Sequence, residues 1–130
     1  MPDSDIPFDE QLLHVQREMA GLAVVLDVAG EIDYTTIGAL RLELDAALAL
    51  ATPAAPVVVD LSRVTFFASA GLNELVVQHQ RANEHRTPLR VVAAHRQVLR
   101  PIELTELHHV LCLFPDRASA LRRPARQRVG

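Results

Sequence analysis

Pro56 is followed by Val57-Val58-Val59-Asp60-Leu61, a short and almost wholly apolar run, and no other stretch limits the possible folds as much. A strand with one wet face alternates apolar and polar residues, whereas an unbroken run is expected of a strand covered on both faces. Such a strand belongs in the interior of a sheet, with strands at both edges and further layers above and below it.

The flanking sequence supplies those layers. Residues alternate roughly from Leu12 to Met19, Ala20-Gly21 reads as a turn, and Leu22 to Val28 is Val-rich, which predicts a hairpin closed by Gly30. Ile37, Leu40, Leu44 and Leu48 recur at spacings of three and four, predicting a helix with Thr35 or Thr36 as N-cap that ends before Pro53. Beyond the central strand and a connection from Ser62 to Phe67, Leu72, Leu75, Val76 and His79 predict a second helix, N-capped by Ser69 and running to about His85. Thr87-Pro88 stops it, and Leu89 to Ala94 reads as a strand. Gln97 to Leu104 reads as a weaker helix, because Pro101 removes a backbone hydrogen bond from its interior and places a kink there. Val110 to Phe114 is a last strand, and Asp116 caps a short helix through Leu121.

Strands alternating with helices imply right-handed crossovers and a parallel sheet. The expectation is one α/β domain with a mixed, mainly parallel sheet, an N-terminal antiparallel hairpin and flanking helices. Its limits are read as residues 8–122, after a flexible acidic leader over 1–7 and before a basic flexible tail over 123–130. The 130 residues suit one domain, and folding at that size buries roughly two thirds of the chain's surface.

Charge and composition narrow the partners. All 13 basic residues are Arg, set against 16 acids for a formal charge of -3, so the overall field repels polyanions. Trp is absent and aromatics are only 4%, which leaves little with which to stack bases. Direct nucleic-acid binding is therefore not expected. The single Cys112 cannot form an internal disulfide and, within an apolar run, reads as a core thiol. No long apolar stretch suggests membrane insertion or export, so the expected location is cytoplasmic.

The sequence lacks a Walker loop, a dinucleotide Gly pattern, a Gly-Xaa-Ser-Xaa-Gly elbow and a His-Glu-Xaa-Xaa-His pair, so no common catalytic class is indicated. His108 and His109, read as adjacent strand residues, would point to opposite faces and not share a metal. What remains is Val64-Thr65-Phe66-Phe67-Ala68-Ser69-Ala70-Gly71-Leu72, which joins a buried strand to a helix. A phosphate on Ser69 would meet the free N–H groups and positive dipole end of that helix, although Ser at such a position more often serves only as a cap.

This segment, with Val57 to Leu61 before it, resembles the signature of STAS domains, most closely the bacterial anti-sigma factor antagonists. Gly30-Glu31-Ile32-Asp33 resembles that family's second motif, and Leu111 to Leu121 its closing strand and helix, so the resemblance spans roughly Leu12 to Leu121. It implies a non-enzymatic module that binds an anti-sigma factor, often a serine kinase of the histidine-kinase-like ATPase type, and thereby frees a sigma factor. ATP and magnesium would belong to the partner, and the module itself needs no cofactor. The family's Asp-Ser-Ser/Thr-Gly turn implies Ser69 as phosphoacceptor; here the Asp is Ala68 and the second hydroxyl residue is Ala70. The implied binding face comprises Asp33, Tyr34, Ala68, Ser69, Ala70, Gly71 and Asn73. From the residues alone Asp33 reads equally as a helix cap and Asn73 as a solvated residue, while Tyr34, the one Tyr in the chain, suits an interface. Some relatives instead act as ligand-sensing or scaffold subunits of larger complexes, binding nucleotide or lipid.

Overall fold

A computed structural model describes residues 12–122; the leader expected over 1–7 and the tail expected over 123–130 lie outside them. Over these residues the chain runs β1 (Leu13–Ala20), β2 (Ala23–Ile32), α1 (Ile37–Leu50), β3 (Val57–Phe67), α2 (Ser69–Glu84), β4 (Leu89–Val92), α3 (Arg96–Leu104), a 3-10 turn (Leu107–His109), β5 (Cys112–Phe114) and α4 (Arg117–Arg122). The strands form one sheet in the order β1-β2-β3-β4-β5, antiparallel between β1 and β2 and parallel elsewhere. This is the mixed, mainly parallel sheet with an opening hairpin that the sequence predicts.

Alternation sorts each strand's side chains between two layers. Val24, Leu26 and Val28 of β2, Val57, Val59 and Leu61 of β3, and Leu89 and Val91 of β4 face one core, completed by Leu40 and Leu44 of α1, Leu72 and Leu75 of α2, and Val98 and Ile102 of α3. Val25, Val58 and Val92 face the other side, where Ala120 of α4 covers them. Asp60, also on that side, accepts hydrogen bonds from Ser62 and from Arg117, whose guanidinium lies 2.9 Å from it and 3.1 Å from Glu18. Arg117 thus ties α4 to β1 and β3. Asp116 caps α4, its Oδ1 accepting the Ser119 N–H at 2.7 Å.

Several boundaries depart from the sequence reading. Gly30 does not close the hairpin. The strand passes through it at φ +112, and the β2–β3 register shifts on either side of it, giving β3 an extra residue each time. Only glycine fits there, since a Cβ would stand 2.1 Å from the Leu12 carbonyl oxygen. Those irregularities also explain why Ser62 to Phe67, expected as a connection, is the second half of β3: bulges disrupt its alternation, leaving Val64 and Phe67 buried three residues apart. Strands β4 and β5 are shorter than expected. Cys112 is exposed rather than core, because β5 is a three-residue strand at the sheet edge. Pro101 sits inside α3, which continues to Leu104. His108 and His109 lie in the 3-10 turn, not on a strand, with ring centroids 4.0 Å apart.

Ser69 is the first residue of α2 and not its cap. The cap position belongs to Ala68, which is still extended at φ -89 and ψ 172 and donates a last ladder-like hydrogen bond to Ile32 O at 2.9 Å. The helix can start this close to the sheet because residue 71 has no side chain: a Cβ there would lie 2.6 Å from the Phe67 ring and 2.8 Å from an Ile32 methyl.

Val58→Ala removes two methyl groups from a fully buried position and is expected to destabilise the fold by leaving a cavity, without displacing α2. Gly71→Ala is expected to cost about 1–3 kcal/mol by overpacking and to shift the α2 start as well. Denaturant melts, with amide NMR shifts of residues 68–73, would separate the two effects.

Candidate functional site

Strands β2 and β3 are parallel, so the loops that follow them emerge at the same edge of the sheet, the position at which α/β folds commonly present their sites. Ile32 is the register partner of Phe67, and the next residues on each strand diverge into the Asp33–Thr36 turn and the first turn of α2. The structure therefore brings the two sequence-predicted segments together.

The Asp33 turn is closed by its own side chain. Oδ1 of Asp33 accepts hydrogen bonds from the Thr35 N–H and hydroxyl, at 2.9 and 2.7 Å, and from the Thr36 N–H at 3.2 Å. Chief among these, the Thr35 hydroxyl bond holds the carboxyl below its usual pKa. The Thr36 hydroxyl donates to Glu31 O at 2.9 Å, anchoring the turn to the end of β2. Thr36 holds the N-cap position of α1, but its side chain makes no cap hydrogen bond. Asp33 thus shapes the loop, and Tyr34 projects from it at 83% exposure.

Across from this loop, Ser69 is exposed, with Ala68 and Ala70 half-buried on either side of it. Asn73, one helical turn onward, is exposed on the same side of α2. Gly71 is buried, so its part is the packing described above and not a surface contact. The first N–H groups of a helix have no intrahelical acceptors, and the first turn of α2 carries no acid, so this end of the helix favours negative charge.

Two features escaped the sequence reading. Phe66 is 51% exposed opposite Glu31 at the same sheet end, because neighbouring aromatics on a strand face opposite ways and Phe67 takes the core. Its signal was the Phe-Phe pair at a strand terminus. The other is a polar clamp between α1 and α2. Buried Glu74 accepts from Arg41 Nε at 2.9 Å and from Gln78 Nε2 at 2.8 Å; the same Gln78 amide reaches Asp45 at 2.9 Å, and Arg81 pairs with Asp45 as well. The Gln78 amide first, then Arg81, hold the Asp45 carboxyl below its ordinary pKa. The signal was Glu74 and Gln78 standing four apart on the stripe that also carries Leu75 and Ala82.

No group of His, Cys, Asp and Glu suited to a metal occurs among the described residues, and none of their helices is long and apolar enough to cross a membrane.

A family model described as the Mlab STAS domain matches residues 15–115. No curated protein matches the chain. Among solved structures, an anti-sigma factor antagonist from Mycobacterium paratuberculosis is similar at 32% identity and a TM-score of 0.76, over 85% of this chain and 94% of that one. An anti-sigma-factor antagonist (STAS) domain protein from Planctomyces limnophilus gives 17% and 0.72, over 83% and 95% of the two chains. The Bacillus cell fate determinant SpoIIAA, in its phosphorylated form, gives 15% and 0.62, over 84% and 98%. The last two likenesses speak for the fold alone. With the family model spanning most of the described residues and a relative at 32% identity over nearly the whole domain, this chain belongs to the STAS domain family.

Proposed function

We propose that the chain is an anti-sigma factor antagonist: a recognition module that occupies an anti-sigma factor and so releases a sigma factor. The observation that carries this reading is Ser69, exposed at the first position of α2 and set at the same sheet end as the projecting Tyr34. It is supported by the relative at 32% identity, which is described as an anti-sigma factor antagonist.

The partner in this reading is a serine kinase of the histidine-kinase-like ATPase type, which brings its own ATP, magnesium and catalytic base. It docks on Asp33, Tyr34, Ala68, Ser69, Ala70 and Asn73, with Gly71 beneath them. Tyr34 offers a large amphipathic contact on a turn already ordered by Asp33, so little conformational freedom is lost when it is covered. A phosphate on Ser69 would add roughly 1.5 to 2 negative charges. The α2 N-terminus can accommodate that charge within the free module, whereas a closely packed partner surface would have to desolvate it. The same modification is thus tolerated by the fold and disruptive to the complex.

A second reading is favoured by Ala68 and Ala70, which stand where the family pattern has an acid and a second hydroxyl. Without them a kinase has less to read at this turn, and the face would serve as a standing docking surface in a ligand-sensing or scaffold subunit of a larger complex, one that binds nucleotide or lipid. The two readings differ in whether charge at residue 69 controls binding.

In calorimetric titrations with the cognate anti-sigma factor, Ser69→Glu is expected to bind at least tenfold more weakly than wild type, about 1.4 kcal/mol, and Ser69→Ala to bind like wild type. Equal affinity of the two variants would remove the switch and leave the scaffold reading. Kinase assays on the free module are expected to show slow phosphorylation of Ser69 at most.

Tyr34→Ala and Asn73→Arg are expected to weaken the same complex while leaving the melting temperature nearly unchanged, since both side chains are exposed. Unaltered affinity in both variants would place the partner on another face.

A further inference from the structure

At the far end of α2 from Ser69 the surface folds into a cleft of about 500 Å³, within the range of roughly 300–1,000 Å³ typical of small-molecule sites. His79 and Asn83 form one wall from the last turns of α2, Arg86 and Pro88 contribute from the turn into β4, and Cys112 and Phe114 stand opposite on β5. His79 is ten residues beyond Ser69, a separation of about 15 Å along a helix. The cleft is therefore distinct from the proposed partner face, and nothing inferred about it rests on that proposal.

Its chemistry is one-sided. No carboxylate lines it, and its charged residues are Arg86 and Arg90. Arg90 is buried and committed to the wall itself: it donates to Ala120 O at 2.6 Å and stands 5.7 Å over the Phe114 ring. Arg86 differs. It is exposed, held at φ +58, and its carbonyl accepts the Ala54 N–H at 3.2 Å, while among the described residues no carboxylate pairs with its guanidinium.

His79 lines the cleft from α2. Its Nδ1 is fully buried and has no hydrogen-bond partner among the described residues, so the ring meets the cleft through its other atoms. Burial pushes the imidazole below its usual pKa, which favours the neutral ring at physiological pH. Beside it the Asn83 amide offers two N–H donors, while Pro88, Leu113 and Phe114 supply an apolar floor.

We infer that this cleft binds a small organic anion, with a carboxylate or phosphate head held by Arg86 and Asn83 beside the His79 ring, and a flat apolar body laid along Pro88 and Phe114. Both parts are needed: the head satisfies the donors, and the body covers the floor.

The chain carries its own reporter. Cys112 is its one cysteine, it is exposed, and it lines the cleft, so the rate at which uncharged iodoacetamide alkylates it measures occupancy. With the full chain, phenyl phosphate and benzoate are titrated as probes, with inorganic phosphate and benzyl alcohol supplying head and body alone. At least one of the two complete anions is expected to slow alkylation saturably, severalfold at millimolar concentration, and neither part alone to do so. Whether phenyl phosphate or benzoate protects better identifies the head. Arg86→Gln, an exposed substitution checked by its melting temperature, is expected to weaken protection about tenfold, equivalent to 1.4 kcal/mol. The His79 imidazole nitrogen resonances, followed by NMR in wild type, are expected to move along the same binding curve. Alkylation rates indifferent to both anions, or protection equal in wild type and Arg86→Gln, or protection by benzyl alcohol matching that by the better of the two anions, would overturn the inference.

Discussion

The enclosure of β3 governs the rest of the molecule. Over Val57–Asp60 both of its edges are paired, to β2 and β4, and both of its faces are covered, by the helix-bearing core and by α4. A strand held on four sides has one register available. Slipping it by one residue would turn the Asp60 carboxylate into the apolar layer and pull it from Arg117. Everything downstream inherits that position, because β3 runs without interruption to Phe67, and Ala68 then makes its hydrogen bond to Ile32 before α2 begins.

The next level of order comes from the polar clamp between α1 and α2. Burying Glu74 is costly unless its oxygens are bonded, and both are, by Arg41 and by Gln78. Apolar packing alone permits small rotations and slides of one helix on another, whereas charge-assisted hydrogen bonds in fixed directions penalise them. The clamp begins beside Asn73 and lies about one to three turns below Ser69, and α1 begins directly after the Tyr34 loop. Fixing the two helices against each other therefore fixes the separation of Tyr34 and Ser69, which belong to segments far apart in sequence.

What could be read from the sequence follows from the range of the forces involved. The order of strands and helices was legible because unbroken or periodic apolar runs report burial directly, as in Val57 to Leu61 and in Ile37 to Leu48. The meeting of the Asp33 and Ser69 segments was implied only by the family resemblance, and in the structure it arises because two parallel strands end together. Features set by non-local geometry were not legible. Gly30 reads as a terminator when viewed alone, and only the Leu12 carbonyl across the hairpin reveals that it carries a strand through a bulge. Cys112 reads as core inside its apolar run, yet a three-residue strand at the sheet margin leaves it open to solvent. The cap of α2 moved from Ser69 to Ala68 because a carbonyl on a neighbouring strand, remote in sequence, claimed the Ala68 N–H.

The two margins of the sheet are unlike, and that difference bears on how the protein behaves in a crowded solution. An open strand edge is a template on which another chain can extend the sheet. At one margin β5 has only three residues, too few for a foreign strand to gain much by pairing with it. At the other, β1 is eight residues long, but His14, Gln16, Arg17 and Glu18 stud it with polar and charged groups, and Arg17 is drawn toward Glu43 of α1. Brevity guards one side and charge guards the other. Both devices disfavour the pairing of a foreign strand, so a neighbour gains more from the side chains the molecule presents than from its backbone.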